Sequence, residues 1–267
     1  MNKNQNGFSL VEVLIIIIVL AILGLAGYTV LNHQNQPKTT NPSSSNSNNN
    51  TQQSKKSPGG KIKNIGVNLG YYDAKTGRAG DFVFTKAKLH DNAIFMNYGV
   101  FIPASSASPA KNNPQPAYVL PMGTKVHSLV DGKVNSVTKL YSNDYSVLVQ
   151  VEGSDLIFET EHVLNVVVKQ GDSVKAGDVV AEVSNHMSNY NDGMGFVEIG
   201  VFKPGVGSGS PSHTCPYDYL DDSIKADTLK KITALQKAWE DYRGDAGIYD
   251  ETKVVIPGCE FKGDIEG

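Results

Sequence analysis

The chain has 267 residues, 40% of them hydrophobic, and a formal net charge of −3. That length allows a membrane segment plus one sizeable domain, and the slightly acidic balance offers no basic field for nucleic acid. The text contains no G-x-S-x-G, no P-loop and no H-E-x-x-H, so the signatures of serine hydrolases, nucleotide binders and zincins are excluded.

Residues 1–7 are short and polar, with one lysine, Lys3. From Phe8 to Val30 the only charged residue is Glu12. As a helix, such a run reaches roughly the ~30 Å of a bilayer's hydrocarbon layer, and in lipid a helix satisfies every backbone group within its own segment. A carboxylate inside a membrane helix costs a few kcal/mol and is usually kept for a partner. The stretch Gly7-Phe8-Ser9-Leu10-Val11-Glu12 resembles the N-terminus of type IV prepilins and pseudopilins. The resemblance implies a prepilin peptidase that cuts between Gly7 and Phe8 and methylates Phe8. It also implies that Glu12 pairs with the N-terminal amine of another pilin-like subunit. The expected placement is a single pass through the bacterial cytoplasmic membrane over residues 8–32, with the rest extracytoplasmic or carried into a pilus.

Residues 33–60 form the expected linker, and from Gln34 to Gly60 it contains no aliphatic or aromatic side chain. Such a segment cannot bury a core and reads as a disordered tether. Many pilins instead run their first helix unbroken into the globular head. The tether therefore favours a minor or accessory pilin, or a protein that borrows the pilin export route.

Residues 61–267 read as one mainly β domain. Candidate strands are 64–72, 81–85, 93–102, 126–130, 133–140, 145–151, 156–161 and 179–183. Asp131-Gly132 is a hairpin signal, and Asn143-Asp144 and Gly153-Ser154 mark further turns. Residues 103–116 form a proline-rich excursion. Two glycine-valine echoes, at 123–128 and 171–176, suit a two-fold-like sandwich. A helix is expected from Asp222 or Ser223 to about Tyr242, because Leu229, Ile232, Leu235, Trp239 and Tyr242 recur at spacings of three and four. Residues 254–256 suggest an edge strand. Cys215 and Cys259 lie outside the cytoplasm in this reading, where a disulfide is expected and two unpaired thiols are the alternative.

Within this domain, Pro121-Met-Gly-Thr-Lys-Val126, Val130-Asp-Gly-Lys-Val134, His162-Val-Leu-Asn-Val-Val-Val168, Gly171-Asp-Ser-Val-Lys-Ala-Gly177 and Phe196-Val-Glu-Ile199 resemble the lysostaphin-like M23 zinc endopeptidases. These cut peptidoglycan cross-bridges. The resemblance implies a lysostaphin-like, barrel-sandwich-hybrid fold with one C-terminal α-helix. It also implies a zinc ion held by two histidines and an aspartate. At the H-x-G-x-D position the best counterpart is Asn97-Tyr-Gly-Val-Phe101, and at the H-x-H position it is Met194-Gly-Phe196. On this alignment Asn97, Phe101 and Phe196 leave no ligand set, and His162 alone falls on a family active-site histidine. His186, His213, Asp192 and Glu198 show no ligand spacing. The resulting expectation is a non-catalytic domain without a cofactor. It would serve binding or pilus and secretion-system assembly, with prepilin peptidase, pilin-like subunits, the bilayer and peptidoglycan as partners and no role for nucleic acid. An active metalloendopeptidase is the alternative.

Overall fold

The computed structural model describes residues 59–104, 109–207 and 209–266. The expected membrane helix over 8–32, with Gly7, Phe8 and Glu12, and nearly all of the tether lie outside the described residues. Among the described residues no helix is long and apolar enough to cross a membrane.

A small antiparallel sheet comes first, from β1 (Leu69–Asp73), β2 (Arg78–Gly80) and β3 (Phe82–Val83). The second sheet has eleven strands. It begins at β4 (Phe95–Met96), and the pair β5 (Phe101–Ile102) and β6 (Lys111–Asn112) stands apart from it. It continues with β7 (Ala117–Pro121), β8 (Lys125–His127), β9 (Gly132–Lys139), β10 (Tyr145–Gln150) and β11 (Ile157–Leu164). It is completed by β12 (Ser173–Val174), β13 (Val179–Val183), β14 (Met194–Lys203), β15 (Ser212–Thr214) and β16 (Ile265–Glu266). The continuous antiparallel path runs β12-β9-β10-β11-β14-β15-β16. Its middle strands are buried on both faces, which is why β14 reads as a near-continuous apolar run rather than an alternation.

One α-helix, α1 (Asp222–Arg243), follows β15. Asp221 caps it, its side chain accepting from the Ser223 backbone N–H at 3.0 Å. The helix ends where Gly244 takes a left-handed φ of 74°. Ile232, Leu235 and Trp239 turn inward and are fully buried. Trp239 donates its Nε1–H to the Asn92 carbonyl at 2.8 Å. Phe84 meets the Trp239 ring edge-on at 5.4 Å, which ties the helix to the small sheet. The start of the domain is bound to the start of the helix. Ile62 donates to Tyr219 O and accepts from the Asp221 N–H, both at 2.8 Å, and Lys63 donates to Leu129 O at 2.9 Å. A disulfide joins Cys215 to Cys259, as expected.

Several local expectations are corrected. Asp131-Gly132 is not a hairpin turn, because β8 pairs with β13 while β9 pairs with β10. Asp131 instead accepts from Lys63 Nζ at 2.6 Å and from the Ala176 N–H at 2.9 Å. Residues 254–256 do not form a strand; the edge of the sheet is β16, and the chain at 256–259 turns tightly on itself. The proline-rich excursion holds β6, paired with β5.

Candidate metal centre and its cleft

The cleft is built on the pair β11–β14. Along a strand alternate residues share a face. Glu159 and Glu161 therefore point the same way, opposite Gly200 and Glu198 respectively. On the same face Phe202 lies opposite His213 of β15, and Phe196 opposite Val119 of β7.

Strict alternation would send His162 to the other face. The ladder between β10 and β11 slips at this point, from Val147↔Thr160 to Tyr145↔Val163. His162 adopts a left-handed φ of 58°. A bulge of this kind re-aims a side chain, and here consecutive residues Glu161 and His162 line the same cavity.

His162 is buried, and its Nδ1 meets Asp144 Oδ2 at 2.9 Å. Asp144 comes from the turn before β10. The Ser184 hydroxyl donates to it at 2.8 Å, and the Ser142 hydroxyl donates to its other oxygen. Burial acts to raise the Asp144 carboxyl, but the bonds from Ser142, Ser184 and His162 hold it below the ordinary value. With Nδ1 so engaged, His162 presents Nε2 to the cleft, 3.8 Å from Glu198 Oε2.

His186 lies over His162 with ring centroids 3.7 Å apart and planes inclined by 4°. Its place is fixed by backbone contact. Ser184 bridges to Phe196, and a Cβ on Gly195 would come within 1.9 Å of the Ser184 carbonyl. Only glycine lets these strands close, and the His186 N–H is then held by Ser184 Oγ at 2.9 Å. Burial, aided by His162, lowers the His186 imidazole to about 4, so the ring is neutral at physiological pH. Phe196 closes one side, edge-on to both rings at 6.1 and 5.8 Å.

Two groups of donor atoms are close enough to hold a metal ion: Asp144, His162 and His186, and Glu161, His162 and Glu198. In each, the donor atoms lie within 4.8 Å of one another. Neutral imidazoles and a carboxylate are the donor chemistry of zinc, so the residues present fit such an ion. A ring nitrogen's lone pair lies in the ring plane, so two parallel rings do not aim at one point. Convergence requires His186 to turn.

The expectation that no ligand set remains, and with it the reading of the domain as a non-enzyme, is thereby corrected. Asn97 and Phe101, assigned as ligand positions by sequence, line the same cavity but belong to neither group of donor atoms. Asn97 donates to Glu260 Oε1 at 2.9 Å and accepts from Gln236 Nε2 at 2.6 Å, which makes it a strut between α1 and the C-terminal tail. Phe101 is an exposed residue of β5 at the cavity's margin. His162 and Phe196 do meet in the cleft; Asp144 was missed, and His186 was named but set aside for want of ligand spacing. No spacing in the sequence marks Asp144: the β10–β11 ladder sets Tyr145 opposite Val163, and Asp144 meets His162 only because the ladder slips and His162 turns left-handed.

A mainly β domain whose cleft gathers two imidazoles and a carboxylate defines a class of metal-competent domains. The family is met directly in the sequence: residues 117–198 match Peptidase family M23, and residues 2–28 match the Prokaryotic N-terminal methylation motif. The chain thus carries an M23 domain behind a prepilin-type N-terminus, the N-terminus of a membrane-anchored extracytoplasmic protein processed by prepilin peptidase. No curated protein matches the chain. Similar solved structures include LytU, 21% identical over 43% of this chain and 77% of that one, TM-score 0.34. The catalytic domain of the antimicrobial peptidase lysostaphin from Staphylococcus simulans is 16% identical over 42% and 80%, TM-score 0.35. A chain of the SpoIIQ–SpoIIIAH pore forming complex is 16% identical over 53% and 94%, TM-score 0.38.

Proposed function

We propose that this protein is a surface-displayed metalloendopeptidase acting on peptidoglycan peptides. In this reading it is held in the bacterial cytoplasmic membrane by a single helix over 8–32 and carried on a tether over 33–60. The observation that supports it most is the cluster of buried Asp144 and His162 with half-buried His186, the two histidines lining a cavity of about 680 Å³. His162 and His186 would hold zinc, with Asp144 as third ligand or as the group that fixes the His162 tautomer. A zinc ion there supplies Lewis acidity to a peptide carbonyl and acidifies a bound water. The chain's own groups do the rest. Asp144 keeps the His162 Nδ1 proton in place, and Phe196 and the walls of the cleft restrict water. Glu198, whose carboxyl burial and then Glu161 and Glu159 raise well above the ordinary value, stands 3.8 Å from His162 Nε2 and would act as the acid beside the reacting centre.

The test is zinc content of the full-length protein in detergent, by elemental mass spectrometry, with cleavage of peptidoglycan cross-bridge peptide followed on the same sample. About one equivalent, lost in His186→Ala and Asp144→Ala, is expected. Zinc below about a tenth of an equivalent in the folded protein would overturn the reading.

A second role, assembly into a pilus or secretion filament, is favoured by the Gly7-Phe8-Glu12 pattern. Glu12→Ala would then abolish co-purification with filaments while sparing processing at Gly7. Recovery of the variant in filaments at the wild-type level would refute it.

A further inference from the structure

We propose that Glu161 supplies the carboxylate ligand of the ion held by His162, and that Asp144 is a positioning residue and not a ligand. This deepens, and rests on, the reading of the cleft as a metal centre. Two carboxylates beside His162 differ in what they have left to offer. Asp144 is 1% exposed and does not line the cavity. Its Oδ2 accepts from the Ser184 hydroxyl at 2.8 Å and meets His162 Nδ1 at 2.9 Å, and the Ser142 hydroxyl donates to Oδ1. Turning Asp144 onto an ion would break bonds that a buried carboxylate needs. Left in place, it fixes the His162 tautomer and ring, as the outer partner of a ligating imidazole does.

Glu161 is the opposite case. The bulge that gives His162 its left-handed φ brings these two consecutive side chains onto one cavity. Among the described residues the Glu161 carboxylate has no hydrogen bond and no salt bridge. One of its oxygens lies within 4.8 Å of a ring nitrogen of His162 and of a Glu198 oxygen. Lys111 lines the same cavity, and its charge acts on Glu198. Glu198 therefore keeps its separate part as the acid, and Glu161 is the carboxylate left for the ion.

A second, independent observation is the imidazole itself. His162 is only 5% exposed, lines the cavity and has its Nδ1 engaged by Asp144. Its Nε2 has no hydrogen bond; Glu198 Oε2, at 3.8 Å, is too far for one. Donors about 2 Å from a shared ion stand roughly 3–4 Å apart, so acids around this nitrogen are spaced for coordination and not for direct bonding.

The experiment loads the full-length protein in detergent with cobalt(II), whose visible absorption reports its donor atoms, and measures affinity against a competing chelator. Loss of an outer partner costs about 10–100-fold in affinity, so loss of the ligand in Glu161→Gln should cost at least about 100-fold. Glu161→His exchanges one ligand for another and should keep the ion with a changed spectrum. Asp144→Asn should weaken binding and leave the wild-type spectrum, because the donor set is the same. Wild-type affinity in Glu161→Gln, a wild-type spectrum in Glu161→His, or a changed spectrum in Asp144→Asn overturns the assignment and leaves the peptidase reading standing. The histidine variant decides the matter by itself if the glutamine variant does not fold. Cleavage of a cross-bridge peptide is followed on the zinc-loaded wild-type protein. Glu161-dependent uptake without cleavage keeps the assignment and sinks the peptidase reading, and a wild-type protein that takes up no ion sinks both.

Discussion

Replacing Glu159 by glutamine tests whether the cleft is built at the expense of stability. Glu159 is buried, the Gln115 amide donates to it at 3.0 Å, and the Ser146 hydroxyl donates to its other oxygen. Burial, reinforced by Glu161, pushes its carboxyl up to about 8 from an ordinary 4.5. Between those pH values the folded chain keeps a proton that the unfolded chain has released. Stability therefore falls as pH rises across this window, by about 1.4 kcal/mol per pH unit. The deficit is about 3 kcal/mol at pH 7 and approaches 5 above pH 8, with full assignment to this one group as the upper bound. Glutamine keeps the shape and cannot ionise. It introduces one meeting of donors, which the Ser146 hydroxyl can resolve by rotating, at a cost of about 1 kcal/mol. The variant should thus be slightly less stable than wild type at pH 4.5 and about 2 kcal/mol more stable at pH 7. Guanidinium unfolding of residues 54–267, read by the single buried tryptophan, Trp239, at four pH values would measure the crossing. A stability difference that does not change with pH would refute the reasoning.

The other predictions concern the core and its fastenings. Removing the disulfide by Cys215→Ala with Cys259→Ala frees a loop spanning 44 residues and should cost about 4 kcal/mol, seen as a lower denaturation midpoint. Burial lowers His213 to about 4, so its neutral form is favoured in the fold. Its contribution is complete above pH 6.5 and lost as pH falls from there toward 4. His213→Phe should therefore flatten the acid limb of the stability curve by about 2–3 kcal/mol, and an unchanged acid limb would contradict this. Trp239→Ala empties a fully buried site and orphans the Asn92 carbonyl, so a loss of about 3–5 kcal/mol in thermal or denaturant unfolding is expected. Gly195→Ala forces a methyl onto the Ser184 carbonyl and should displace His186, lowering zinc uptake more than global stability.

The fold was readable where local chemistry decides it. The helix announced itself through the three- and four-residue spacing of Leu229 to Tyr242 and through Asp221 and Asp222 at its start, and 133–140, 145–151 and 179–183 emerged almost where β9, β10 and β13 lie. Asp131-Gly132 misled because its carboxylate is spent on Lys63 and Ala176, partners far away in sequence. The site was harder to read. Matching ligands by motif looks for fixed spacing along one strand. Asp144, His162 and His186 come from a turn, a bulge and the loop after β13. Their meeting depends on a left-handed residue and a missing Cβ at Gly195, neither of which carries a periodic signal.

The seam at Ile62 has a mechanical consequence. Everything N-terminal to this point, including the segment matched to the methylation motif, joins the domain through a fully buried residue. Ile62 itself is fastened to Tyr219 and Asp221 at the root of the helix, and the next residue, Lys63, to Leu129 in the loop ahead of β9. Gly59 and Gly60, just ahead of the seam, already lie against Leu156, Val151 and Phe158, so force arriving along the polypeptide is shared between those two footings and β11. The handle by which this domain would be tugged thus runs onto the strand that carries Glu161 and His162.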